Sequence, residues 1–65
     1  MELNIGKKLK ELRIKEKMTI QKVANILNVT NQAVSKWENN LSYPSIKLLP
    51  KIAKIYNITI DDLFK

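Results

Sequence analysis

The sequence predicts an all-α domain, and three observations carry that prediction. Apolar residues recur at three- and four-residue spacing along almost the whole chain. One glycine and two prolines punctuate it, too few for a set of tight β-turns. With 65 residues there is room for one domain spanning the chain around one core, so each helix must give most of its apolar face to packing.

The elements follow in order. A first helix is expected from near Asn4 to about Lys17, with Ile5, Leu9 and Leu12 on one stripe and Lys7, Lys8, Glu11 and Lys15 facing water. Glu11 precedes Lys15 by four, the order that favours an ion pair, and Ile14 falls opposite the stripe, where exposure is expected. Thr19 suits the N-cap of a second helix over residues 20–27, with Val23, Ala24 and Leu27 inward, and Asn28 suits the left-handed turn that ends it. Thr30 caps a third helix over 31–39, so only a short turn separates these two, as in a helix-turn-helix unit. After the loop NLSYP, a fourth helix is expected from about Ser45 to Tyr56, with Leu48, Leu49, Ile52, Ala53 and Tyr56 inward and Pro50 tolerated near its first turn. Asn57 ends that helix as Asn28 ends the second. Thr59 and Asp62 form a cap pair for a last short helix, with Asp61 and Asp62 at the positive end of its dipole. The result is a compact five-helix domain in which helices 2 and 3 make the helix-turn-helix.

Composition narrows the function. Cysteine and histidine are absent, which removes disulfides, thiolate sites and the commonest general base and metal ligand. Asp61 and Asp62 are neighbours whose side chains diverge by about 100° on a helix, and no metal-ligating partner accompanies them. No catalytic residue, metal or cofactor is therefore expected. The start MELNIGKKLK has no apolar signal region, and no apolar run approaches the roughly 20 residues that span a bilayer, so a cytoplasmic protein is expected. Twelve Lys and Arg against six acids leave a net charge of +6, which attracts polyanions such as nucleic acid. A genome rich in A and T also favours Lys, Ile and Asn codons, so charge alone does not decide.

The stretch NVTNQAVSKWENN decides more. At about 100° per residue, Asn31, Ser35, Asn39, Gln32 and Lys36 fall within about 140° of arc, while Ala33, Val34 and Trp37 lie on the other side. A face that merely meets water usually mixes Lys with Glu, yet no acid occurs from Thr30 to Lys36. Asn and Gln match the N6 and N7 of adenine, Lys matches the O6 and N7 of guanine, and Ser serves either, from a helix whose width fits the major groove. Asn31, Gln32, Ser35 and Lys36 are the candidate base-reading residues.

The segments IGKKLKELR, MTIQKVANILNVTNQAVSKWENN and LLPKIAKIYNITIDDLF together resemble the Cro and phage-repressor (lambda repressor-like) type of helix-turn-helix domain. The resemblance covers nearly the whole chain. Its specific parts are Ala24, Val29 after the turn, Val34, and the run Trp37-Glu38-Asn39. It implies a five-helix bundle whose third helix enters the major groove of double-stranded DNA. It also implies a homodimer on a palindromic operator with half-sites about one helical turn apart, in a transcriptional regulator, here a repressor. By position it makes Thr30, Asn39, Asn40 and Lys47 phosphate contacts and pairs Arg13 with Glu38 as a structural ion pair. Where the family often has a glutamine opening the second helix, this chain has Ile20, which leaves Gln21 as the candidate for that phosphate contact. Asn28 and Asn40 stand where glycine is usual, and Asn tolerates left-handed geometry.

Two other roles compete. A protein-interaction module such as an antitoxin would need an added segment or an exposed apolar groove. A membrane-surface role through the basic first helix conflicts with the use of its apolar stripe in the core. Lys47, Lys51 and Lys54 form a further stripe, a solvated face except for the phosphate role of Lys47. Ile58, Ile60, Leu63 and Phe64 are shared between core packing and a dimer interface as alternatives.

Overall fold

A computed structural model describes residues 5–65, so the expected helix start at Asn4 lies outside the described residues. Five helices follow in order: α1 (Ile5–Lys15), α2 (Ile20–Leu27), α3 (Asn31–Glu38), α4 (Leu49–Ile55) and α5 (Ile60–Leu63). Among the described residues there is no strand. The stripes read from periodicity meet in one core: Ile5 and Leu9 from α1, Val23, Ala24 and Leu27 from α2, Val34 and Trp37 from α3, Ile52 from α4 with Tyr56 just after it, and Leu63 from α5. α3 packs on both α1 and α2, and α5 packs on α1 and α4. α3 is thereby held from behind along its length.

Three helices start alike. Thr19, Thr30 and Thr59 have extended backbones, and their hydroxyl oxygens accept the amide protons of Lys22, Ala33 and Asp62, each cap contributing about 1 kcal/mol. At α5 the cap is reciprocal, since the Thr59 amide also donates to Asp62 Oδ2 at 3.2 Å. That bond is the main reason the Asp62 carboxyl is held below its usual pKa.

Four helix ends are also alike. Lys17, Asn28, Asn40 and Asn57 adopt left-handed φ of 57°, 59°, 59° and 55°, and the amide of the following residue reaches back to the carbonyl five positions earlier: Met18 to Arg13, Val29 to Ala24, Leu41 to Lys36 and Ile58 to Ala53. This reversal satisfies carbonyls that the helix leaves open. It corrects the expected end of the first helix, because Lys17 is the reversing residue and α1 stops at Lys15. α3 likewise stops at Glu38, with Asn39 in its cap. Glu11 and Lys15, both exposed, do not pair with each other; among the described residues Arg13 pairs with Glu38, and Lys65 with Asp61 and Asp62.

The fourth helix is shorter than expected. It begins at Leu49, not Ser45, and is preceded by a turn in which the Leu48 amide bonds Ser45 O at 2.9 Å. Pro50 explains the difference. A helix from Ser45 would place Pro50 beyond the first turn, where it lacks the proton due to the Ile46 carbonyl and its ring presses on that group. Starting at Leu49 makes Pro50 the second residue, where no such bond is required. Leu48 and Leu49 are consequently half-buried, and Ile46 and Lys47 lie exposed in the turn.

Gly6 marks a close approach that periodicity does not show. A Cβ there would lie 2.6 Å from Trp37 O and Asn40 Oδ1 and 2.8 Å from Glu38 O. Without one, the first turn of α1 rests on the last turn of α3, and the Gly6 amide donates to Asn40 Oδ1 at 3.1 Å. An open donor of α1 is thus satisfied from 34 residues away.

Candidate nucleic-acid interface

Val34 and Trp37 are buried and Ala33 is half-buried, which turns the opposite side of α3 outward. There Asn31, Gln32 and Lys36 are exposed and Ser35 is half-buried. These four line one shallow open concavity, and a fifth residue, Ile20, completes it. In the sequence Ile20 stands out only as a departure from the glutamine that often opens this helix in the family. The signal that points to it is its place as the first residue after the Thr19 cap.

Amide side chains brace this surface. Gln21 Nε2 donates to Asn25 Oδ1 at 2.9 Å, and Gln21 Oε1 accepts from Asn31 Nδ2 at 2.9 Å. Gln21 therefore lies along α2 and reaches across to α3. The contact uses one of the two Asn31 amide protons and leaves its carbonyl oxygen and other proton for a further hydrogen bond. At the far end of α3, Asn39 Nδ2 donates to Ser35 O at 2.8 Å and to Ser35 Oγ at 3.4 Å, so Asn39 folds back over the helix. Asn40 is exposed but directs its side-chain oxygen onto the Gly6 amide. Thr30 is exposed at the front end of α3; its oxygen accepts the Ala33 amide at 3.1 Å, so its hydroxyl proton points elsewhere. Lys47 is exposed in the turn before α4, off the helical stripe formed by Lys51 and Lys54.

Glu38 is turned to the opposite side. Arg13 Nε donates to Glu38 Oε2 at 2.7 Å and Arg13 Nη2 to Oε1 at 3.1 Å, a two-pronged contact between side chains only 13% and 5% exposed. Arg13 Nη1 also donates to Met18 O at 3.0 Å, so one guanidinium ties the end of α1, the α1–α2 turn and the end of α3 together. The bond to Glu38 raises the Arg13 pKa above its ordinary value. Burial first, and the Glu38 charge second, push Tyr56 up to about 12. The one acid of α3 is thus neutralised within the fold, and the outward face carries amides, a hydroxyl and an amine over a protein of net charge +6.

The remaining surface separates clearly. Leu63 is in the core and Ile58 packs against it, whereas Ile60 and Phe64 are 39% and 45% exposed. Ile14 is exposed, as its position opposite the α1 stripe requires. No helix among the described residues is long and apolar enough to cross a membrane, and the described residues contain no cluster of acids fit to hold a metal ion.

Comparison with known proteins gives this arrangement a family. The family model described as helix-turn-helix matches residues 9–63. The chain belongs to the helix-turn-helix family. This helix-turn-helix domain is 40% identical over 61 residues to the HTH-type transcriptional activator BcrR of Enterococcus faecalis, a match covering 94% of this chain and 30% of BcrR. It is 34% identical over 61 residues to the HTH-type transcriptional regulator ImmR of Bacillus subtilis, covering 94% of this chain and 48% of ImmR. The domain thus spans about a third to a half of these relatives. Its fold is similar to that of SinR, the master regulator for biofilm formation, in a crystal structure of SinR in complex with DNA, with a TM-score of 0.83, 26% identity, and coverage of 94% of this chain and 98% of that one. The all-helical architecture expected from the residues, and the lambda repressor-like fold that the resemblance implies, are what is found.

Proposed function

We propose that this domain binds double-stranded DNA sequence-specifically as part of a cytoplasmic transcriptional regulator, with α3 in the major groove. The observation that carries the reading is the outward face of α3: Asn31, Gln32, Ser35 and Lys36 share one concavity, free of acid, on a helix anchored by Val34 and Trp37. Base-edge chemistry of this kind supplies specificity, whereas the cationic surface supplies salt-sensitive affinity. Thr30, through its hydroxyl proton, and Lys47, through its amine, are the phosphate contacts. Gln21, Asn39 and Asn40 reach phosphate only by adding to or exchanging their internal bonds. Arg13 and Glu38 are structural. The domain acts as a non-enzymatic repressor, since occupying an operator needs no surface beyond the one that reads it.

Two copies on a two-fold symmetric operator are the proposed assembly, joined through the exposed Ile60 and Phe64 beside the buried Leu63. Selection of bound duplexes from a random pool tests the reading. A palindromic consensus with half-sites about one helical turn apart is expected, and a flat selection overturns it. Sedimentation with the selected duplex tests the assembly: two protomers per duplex are expected, and one protomer on a full palindrome rejects the dimer.

A further inference from the structure

We propose that Ile20 is a specificity-determining residue that reads the 5-methyl group of a thymine in the major groove, next to the base pairs addressed by α3. The inference rests on the base-reading role of α3 proposed above and adds a residue from α2 to it.

Five residues line the concavity on the outward side of the motif, and Ile20 is the one apolar member among Asn31, Gln32, Ser35 and Lys36. It is half-buried. Part of its side chain packs against the core, and the rest faces the same space as the polar four. The floor of a major groove offers donors, acceptors and a single kind of apolar group, the C5 methyl of thymine. An isoleucine pressed toward that floor has one favourable counterpart. Set against a base-edge donor or acceptor instead, it would strip that group of water without giving it a partner, which selects against the other bases.

Two further features make Ile20 fit for such a role. A β-branched side chain in a helix holds nearly one rotamer, so little freedom is lost on contact. The Thr19 cap, with its hydroxyl bonded to the Lys22 amide at 3.0 Å, fixes the first turn of α2 that presents Ile20. The adjacent bond from Gln21 to Asn31 ties this turn to the start of α3, so Ile20 and the reading face approach a duplex as one rigid surface.

The test uses the duplex obtained by selection, with each thymine replaced singly by deoxyuridine, which removes the methyl and leaves every hydrogen-bonding group. Wild-type protein is expected to lose about fourfold in affinity at one thymine per half-site, the factor corresponding to one buried methylene-sized group. Ile20→Ala is expected to bind the thymine and deoxyuridine forms of that position equally, with losses at other thymines unchanged. Because Ile20 also packs on the core, Ile20→Gln is measured in parallel: its aliphatic stem keeps the packing and its amide removes the apolar tip, and the same loss of discrimination is expected. A sharp consensus with no deoxyuridine-sensitive thymine, or a sensitivity that survives in a folded Ile20 variant, overturns the role of Ile20 and leaves the base reading by α3 intact. A flat selection overturns the base reading itself, and the role of Ile20 with it.

Discussion

Glu38 and Arg13 carry opposite charges in a place where neither is well hydrated, and each makes the other tolerable. Removing one partner leaves an unpaired charge close to the core, so Glu38→Ala should lower stability by about 3 kcal/mol, a fall in Tm of more than roughly 10 °C, while sequence preference stays the same. Pairing it with Arg13→Met should recover part of the loss, because the stranded guanidinium is then gone as well. Thermal melts check both, and an unchanged Tm for Glu38→Ala would remove the structural role. Tyr56 beside this pair gives a pH signature. Its folded pKa of about 12 exceeds the ordinary 10.0, so its neutral form favours the fold. That contribution is fully present below pH 10 and is lost as pH rises through 12. Urea midpoints should therefore fall more steeply across this window for the wild type than for Tyr56→Phe, and parallel curves would contradict the assignment. The ion pair was legible in the sequence only as what the family resemblance implies. The contact of Gly6 with the end of α3 was not, since nothing local marks a glycine as the place where two helices touch.

At the scale of elements, the threonine-capped starts and the asparagine reversals were legible because they are local chemistry. Thr19, Thr30 and Thr59 cap the helices that periodicity places after them, and Asn28 and Asn57 reverse the chain where expected. Lys17 performs the same reversal without the asparagine's tolerance for it. Lys17→Gly should accordingly stabilise the domain by about 0.5–1 kcal/mol, a gain in Tm of several degrees, whereas Asn57→Gly should change little. A lower Tm for Lys17→Gly would mean that the Lys17 side chain contributes more than its backbone costs. The fourth helix starts later than the apolar pattern implies, because that pattern runs through Ser45–Tyr56 without a break. Periodicity cannot register that Pro50 must lie in the first turn, and the backbone shortens the helix to put it there.

For the molecule as a whole, affinity and specificity belong to different residues and should separate by experiment. Gln32→Ala should cost roughly 1–3 kcal/mol at its own base pair and little on random DNA. Lys47→Ala should weaken all duplexes alike and reduce the salt slope by about one. Binding measured over a range of salt on the selected and a scrambled duplex distinguishes them, and equal losses on both for Gln32→Ala would count against base reading. The amino-acid sequence by itself determined the helical class, the order of the five elements, the two helices that make the motif and the polar face that α3 turns outward, because each follows from the spacing and capping of neighbouring residues. Only the tertiary structure decided which side chains share a surface. It drew Ile20 into the concavity of α3, turned Gln21 and Asn40 toward partners within the chain, and divided Leu63 from Ile60 and Phe64. Those outcomes depend on how one helix crosses another, and a crossing is set by the packing of all the buried faces at once.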